Sequence, residues 1–164
     1  MNSELISIRE IQEQDNEQIA LIIRKVILEF GAPKVGTAYE DPALENMYLH
    51  YKKSRSAYFV LTQNDMVIGV AGIAPLENGP EDICELQKMY FLPETRGKGL
   101  GKRMIETCLN KAEQLGYKQC YIETMENMKA AQNLYQKNGF KSLDKPLGDT
   151  GHYSCQVWFL KDIS

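Results

Sequence analysis

With 164 residues, a net charge of −3 and no long apolar run, the chain is expected to form one domain over residues 1–164. A dedicated nucleic-acid binder would carry a strongly basic face and a membrane protein a span of about 18 apolar residues, so neither class is expected. Four widely spaced cysteines (Cys84, Cys108, Cys120, Cys155) form no Cys-x-x-Cys pair and read as reduced thiols of a cytoplasmic protein. The two histidines, His50 and His152, leave few ligands for a metal, and none is expected.

Residues 5–9 read as a short strand, and Asp15 with Gln18 as a capping box that opens a helix. Ile19, Ile22, Ile23, Val26, Ile27 and Phe30 recur at helical spacing until Gly31. Residues 32–40 show no period and read as a loop. A second helix follows, capped by Asp41 with Pro42 at its first position and striped by Leu44, Tyr48 and Tyr51. The runs 58–62 and 66–74 flank Gln63-Asn64-Asp65 as a hairpin, and a turn-rich tract, 75–82, leads into a strand over 84–92. Met104, Ile105, Cys108, Leu109, Ala112 and Leu115 mark a helix that ends at Gly116. A strand over 120–124, a helix over 128–138, an extended segment opened by Phe140 and a last strand over 153–160 complete the chain. The order is β-α-α-β-β-β-α-β-α-β-β, an α/β (α+β) arrangement.

Between the strand at 84–92 and the helix that follows lies Arg96-Gly97-Lys98-Gly99-Leu100-Gly101-Lys102. Alternate glycines let backbone approach a ligand, a helix start supplies unpaired amides, and Arg96, Lys98, Lys102 and Arg103 add positive charge; together they describe a phosphate cradle. A P-loop ending at Gly101-Lys102 would need glycine at Arg96 and a hydroxyl at Arg103. A dinucleotide fingerprint starting at Gly97 and Gly99 would need glycine at Lys102. Both fail. The remaining pattern, Arg96-x-x-Gly99-x-Gly101, resembles the acetyl-coenzyme A pyrophosphate loop of the GCN5-related N-acetyltransferase (GNAT) family. A second stretch, residues 131–140, resembles that family's Ala-x-x-Leu-Tyr-x-x-x-Gly-Phe segment through Ala131, Leu134, Tyr135, Gly139 and Phe140. The element order matches as well.

This resemblance implies a GNAT fold, with a single mixed central sheet flanked by helices, and direct acetyl transfer from acetyl-coenzyme A (acetyl-CoA) as cosubstrate to a primary amine, that of a small molecule or a peptide. A non-catalytic acyl-CoA sensor is the reading of another class, and a homodimer is compatible with the chain. Cofactor contacts are implied for the backbone of Met89 and Phe91 and for Arg96, Gly97, Lys98, Gly99, Leu100, Gly101 and Lys102. Asn127 resembles the asparagine that bonds the pantetheine arm, but lies eight residues before Tyr135 where many members show seven, which leaves Asn133 or backbone as a substitute. Tyr135 matches the general acid: a phenol, with a reference pKa of about 10, is protonated at neutral pH and can donate to a departing thiolate.

An alkyl ammonium must lose a proton before it attacks, and Glu85 matches the position of a glutamate that acts through water in many members. Strand alternation would place Glu85, Gln87, Met89 and Phe91 on one face. Glu123 and His152 compete with Glu85 as base. The irregular tracts 32–40, 75–82 and 147–153 are expected to supply the acceptor pocket, with Tyr39, Glu40, Asp41, Glu123, His152 and Tyr153 as candidates. Cys155 lacks an adjacent base and reads as a packed thiol rather than an acyl carrier.

Overall fold

A computed structural model describes residues 5–31, 34–35, 37–150 and 156–163. Among these, alternating apolar residues build strands β1 (Ile6–Glu10), β2 (Ala57–Gln63), β3 (Met66–Pro75), β4 (Ile83–Phe91), β5 (Gln119–Thr124), β6 (Lys141–Leu143) and β7 (Val157–Asp162). Helical spacing builds α1 (Asn16–Glu29), α2 (Met47–His50), α3 (Leu100–Gln114) and α4 (Lys129–Lys137). The strands form one mixed sheet in the order β1-β2-β3-β4-β5-β7-β6, antiparallel throughout except at β4/β5. The β2/β3 hairpin closes through Asn64 and Asp65, both at positive φ (49° and 68°), residue types that tolerate this turn.

Each sheet face has its own core. Leu61, Ile73 and Leu86 pack with Met104, Ile105, Cys108 and Ala112 of α3, while Tyr58, Val60 and Val70 pack with Ile19, Ile23 and Val26 of α1. Burying one such aliphatic side chain contributes about 1.5–3 kcal/mol, so these layers fix where the sheet edges and loops stand. Cys84, Cys108 and Cys120 are buried thiols; Cys155 lies outside the described residues. No helix among the described residues is long and apolar enough to cross a membrane.

Three local expectations are corrected. Asp15 does not cap α1: its carboxylate accepts both Arg9 guanidinium nitrogens, at 2.8 and 2.9 Å, and the Gln12 amide at 2.7 Å. The bidentate ion pair takes the carboxylate that a cap would use, and Gln18 Oε1 instead accepts the Val67 amide at 3.2 Å. The second helix is divided. Asp41 caps a short 3-10 turn, Pro42–Glu45, and Asn46, at φ −157°, ψ 80°, interrupts it before α2 begins.

The third correction concerns β4. Gln87 pairs with Gly72 and Tyr90 with Val70, so Lys88 and Met89 together oppose Ala71 in a β-bulge, with Lys88 at φ 48°. The bulge reverses the alternation. Met89 and Phe91 join Cys84 and Leu86 in the α3-side core, whereas Gln87 is hydrogen-bonded to Tyr51 in the α1-side layer and Glu85 is bonded to Gln87. Glu85 and Gln87 therefore do not share a face with Met89 and Phe91. Even before the bulge β4 leaves its other neighbour: the parallel register with β5 runs Ile83↔Gln119, Cys84↔Cys120, Glu85↔Tyr121 and ends there.

Candidate active site

Where β4 and β5 part, three connected cavities open. The first is a groove of about 440 Å³ lined by Met89, Phe91, Arg96, Gly97, Gly99, Gly101 and Leu134. Its rim is the glycine loop. Gly97 and Gly99 adopt φ 79° and 75°, where an L side chain is strained, and an added Cβ would meet nothing within 4 Å at either, so backbone conformation rather than crowding requires glycine. The first α3 backbone bond runs from Arg103 N to Gly99 O, which leaves the amides of Leu100, Gly101 and Lys102 without an intrahelical partner at the positive end of the helix dipole. This donor set fits a pyrophosphate. At Gly101 a Cβ would stand 2.7 Å from Leu134 Cδ2, so the missing side chain lets α3 and α4 approach at the groove.

Not every basic side chain faces this groove. Arg96 lines it, yet its guanidinium is engaged by Glu29 at 2.5 and 3.0 Å and by the Phe91 carbonyl at 2.8 Å, and it stacks over the Phe30 ring. Lys98 is exposed and does not line the groove, whereas Lys102 lines it and lies 3.9 Å from Glu106 one turn along α3. Asn127 donates to the Phe30 carbonyl at 2.6 Å, tying the α4 approach to the end of α1; Asn133 is the asparagine that lines the groove.

The second cavity, about 60 Å³, is the gap between the splayed strands. Glu85, Gln87 and Lys88 reach it from β4, Glu123 and Thr124 from β5, and Tyr135 from α4. Tyr135 is buried, with its ring edge-on to Phe140 and Phe159 at centroid distances of 6.1 and 5.8 Å. Phe30, Met89 and Tyr90 line both the gap and the groove.

The third cavity, about 620 Å³, lies on the α1 side and shares Thr37, Glu85, Gln87 and Lys88 with the gap. Glu85 is only 4% exposed. Burial pushes its carboxyl up from 4.5 to about 7, against the Gln87 hydrogen bond, with the neighbouring Glu123 charge adding to the rise. Gln87 Nε2 donates to Glu85 Oε1 at 2.6 Å while Gln87 Oε1 accepts the Tyr51 hydroxyl at 2.7 Å, forming a fixed relay. Glu123 is also raised by burial, but accepts hydrogen bonds from Thr150 and, at 2.7 Å, from Tyr121.

Glu40 and Asp41 line this third cavity, together with His50, Lys53 and Glu77. Tyr39 turns away to Arg24 and Lys34, 5.7 and 5.1 Å from its ring centroid. His152 and Tyr153 lie outside the described residues.

The sequence model of the Acetyltransferase (GNAT) family matches residues 23–140, spanning the loop, the gap and Tyr135. This chain belongs to the GNAT acetyltransferase family. Among curated GNAT relatives, an uncharacterized N-acetyltransferase of Escherichia coli (strain K12), YjgM, is 43% identical over 156 residues, 94% of this chain and 93% of that protein. A GNAT-family acetyltransferase from Staphylococcus aureus Mu50 superposes with a TM-score of 0.86 at 21% identity, covering 98% of this chain and 100% of that one. A GNAT-superfamily phosphinothricin acetyltransferase from Sinorhizobium meliloti, solved with acetyl-CoA, gives 0.77 at 21% identity, covering 97% and 89%.

Within this GNAT site, sequence reasoning did not single out Lys88 or the Tyr51–Gln87 relay. Lys88 had one available signal, a lysine inside an otherwise strand-like run. The relay had none, because Tyr51 and Gln87 are brought together from elements 36 residues apart.

Proposed function

We propose that this acetyl-CoA-dependent GNAT N-acetyltransferase moves the acetyl group directly to the primary amine of a small molecule held in the 620 Å³ cavity. One observation carries the reading: Glu85 and Tyr135 line the same small gap, one toward the acceptor cavity and the other beside residues of the cofactor groove. Acetyl-CoA supplies the activated thioester. The α3 amides and the glycine loop would hold its pyrophosphate, and β4 backbone near Met89 and Phe91 would take its amide arm.

The protein then has two proton tasks. Glu85, poised near neutrality, takes the proton of the incoming ammonium through water, and Tyr135 gives one to the leaving thiolate. Glu123 is the weaker candidate for base, since the hydroxyls of Tyr121 and Thr150 occupy its oxygens. The test is a panel of amines, amino acids, polyamines and peptides scored by thiol release from acetyl-CoA. Turnover of a small amine supports the proposal. Turnover of peptides alone overturns the acceptor class, and absence of turnover with CoA still raising the melting temperature overturns catalysis.

A further inference from the structure

The acceptor cavity has an unusual wall. Lys88 lines both this cavity and the gap beside Glu85, with its side chain only 4% exposed and its ammonium 2.9 Å from Asp41 Oδ2. Two costs attach to that placement. A buried charge is expensive to desolvate even when paired, and a lysine at φ 48° occupies backbone space that glycine or asparagine would fill with less strain. An apolar residue would line a plain cavity more cheaply. Asp41 is itself fixed, because its other oxygen accepts the Ala43 amide at 2.9 Å, so the pair is a rigid fixture of the wall.

We propose, on the basis of the acetyltransferase reading above, that the acceptor is an amino carboxylate, its amine presented to Glu85 and its carboxylate held by the Lys88 ammonium. An ammonium carries three donors, and Asp41 Oδ2 accounts for one. The charged groups around the cavity are of both signs: Glu40, Asp41, Glu77 and Glu85 stand with Lys53 and Lys88, while burial and the two lysines hold His50 toward its neutral form. A polyamine would meet the lysines, a dianion without an amine would meet the carboxylates, and a zwitterion matches both. Glu85 and Lys88 are three residues apart on one strand, a backbone span of roughly 10 Å before the bulge shortens it, and both side chains reach inward. That spacing suits a carboxylate within a few bonds of the amine.

The experiment compares wild-type kcat/KM across amino acids, each with its primary amide and its decarboxylated amine. The best acceptor is expected to exceed both of these carboxylate-free counterparts by at least about tenfold, with the difference mainly in KM. In Lys88→Met that ratio collapses toward one, and in Lys88→Arg most of it survives. Equal or faster turnover of the amide or amine by the wild type overturns the amino-carboxylate assignment and leaves acetyl transfer to amines standing. Absence of thiol release with every amine, while CoA still raises the melting temperature, overturns both. The wild-type ratio decides the matter even if Lys88→Met fails to fold.

Discussion

The Gln87 side-chain amide donates to Glu85 Oε1 at 2.6 Å, on the acceptor side of a strand that reverses its faces one residue later. That bond favours the charged carboxylate against a burial that disfavours it, and the balance places the group near 7. Glu85 can then exchange a proton within the physiological range.

A base must be ionised to act, so wild-type kcat/KM should rise with pH through an apparent pKa of about 7. Glu85→Gln should remove that limb and lower kcat/KM by about 10²- to 10³-fold. Stability moves the other way. Because the folded carboxyl binds its proton more tightly than the unfolded one, the contribution of Glu85 to stability is greatest below about 4.5 and is lost as pH rises through about 7. The rise corresponds to on the order of 3 kcal/mol, so at pH 8 Glu85→Gln should melt higher than wild type. Equal melting at pH 8 would contradict the buried-carboxylate account.

Gln87→Ala removes a hydrogen bond to the ionised form without touching the carboxylate. The activity limb should therefore move to higher pH, with a several-fold loss at pH 7 that is recovered near pH 9. A pH-independent loss would show that Gln87 only packs.

Tyr135→Phe keeps the ring contacts with Phe140 and Phe159 and removes only the hydroxyl. Stability should change by about 1 kcal/mol or less. The turnover number should fall by about 10²-fold with CoA affinity retained, as read from steady-state kinetics and calorimetric titration. Unchanged turnover would remove Tyr135 from the chemistry.

Gly101→Ala brings a methyl group to within 2.7 Å of Leu134 Cδ2 and should cost about 1–2 kcal/mol and weaken CoA binding. Leu134→Ala makes room for it. The double variant should recover part of the CoA affinity lost in Gly101→Ala, a coupling that a thermodynamic cycle on CoA titrations measures; strictly additive losses would mean that the helices do not meet at this point.

The glycine loop was legible because its signal is local: positive φ at Gly97 and Gly99 is written in residue type, and helix α3 declares itself by period. Tyr135 was picked out by the resemblance of residues 131–140 to the family's segment, since its place on one face of α4 suits core packing equally. The bulge was not. Lysine is a poor residue for φ 48°, so nothing at Lys88 announces that Met89 will turn toward α3; the reversal shows only in the pairing with β3, where Gln87 meets Gly72 and Tyr90 meets Val70. Asp15 misled for a related reason, since its partner, Arg9, comes from β1 and outcompetes the helix start beside it. The wall of the 620 Å³ cavity is tertiary too, assembled from loops, a short helix and two strands.

Past the Glu85–Tyr121 pair, β4 has no paired strand on the β5 side among the described residues, and there it borders the gap that Glu123 and Tyr135 also line. An outer edge of the same length would be a template for pairing with other chains, which proteins usually blunt with charge or proline. Here β3 flanks β4 and β7 flanks β5, so the opening lies within the sheet and not at its border. An interruption inside the sheet thus leaves strand backbone without a sheet partner at a place that is not the outer border of the sheet.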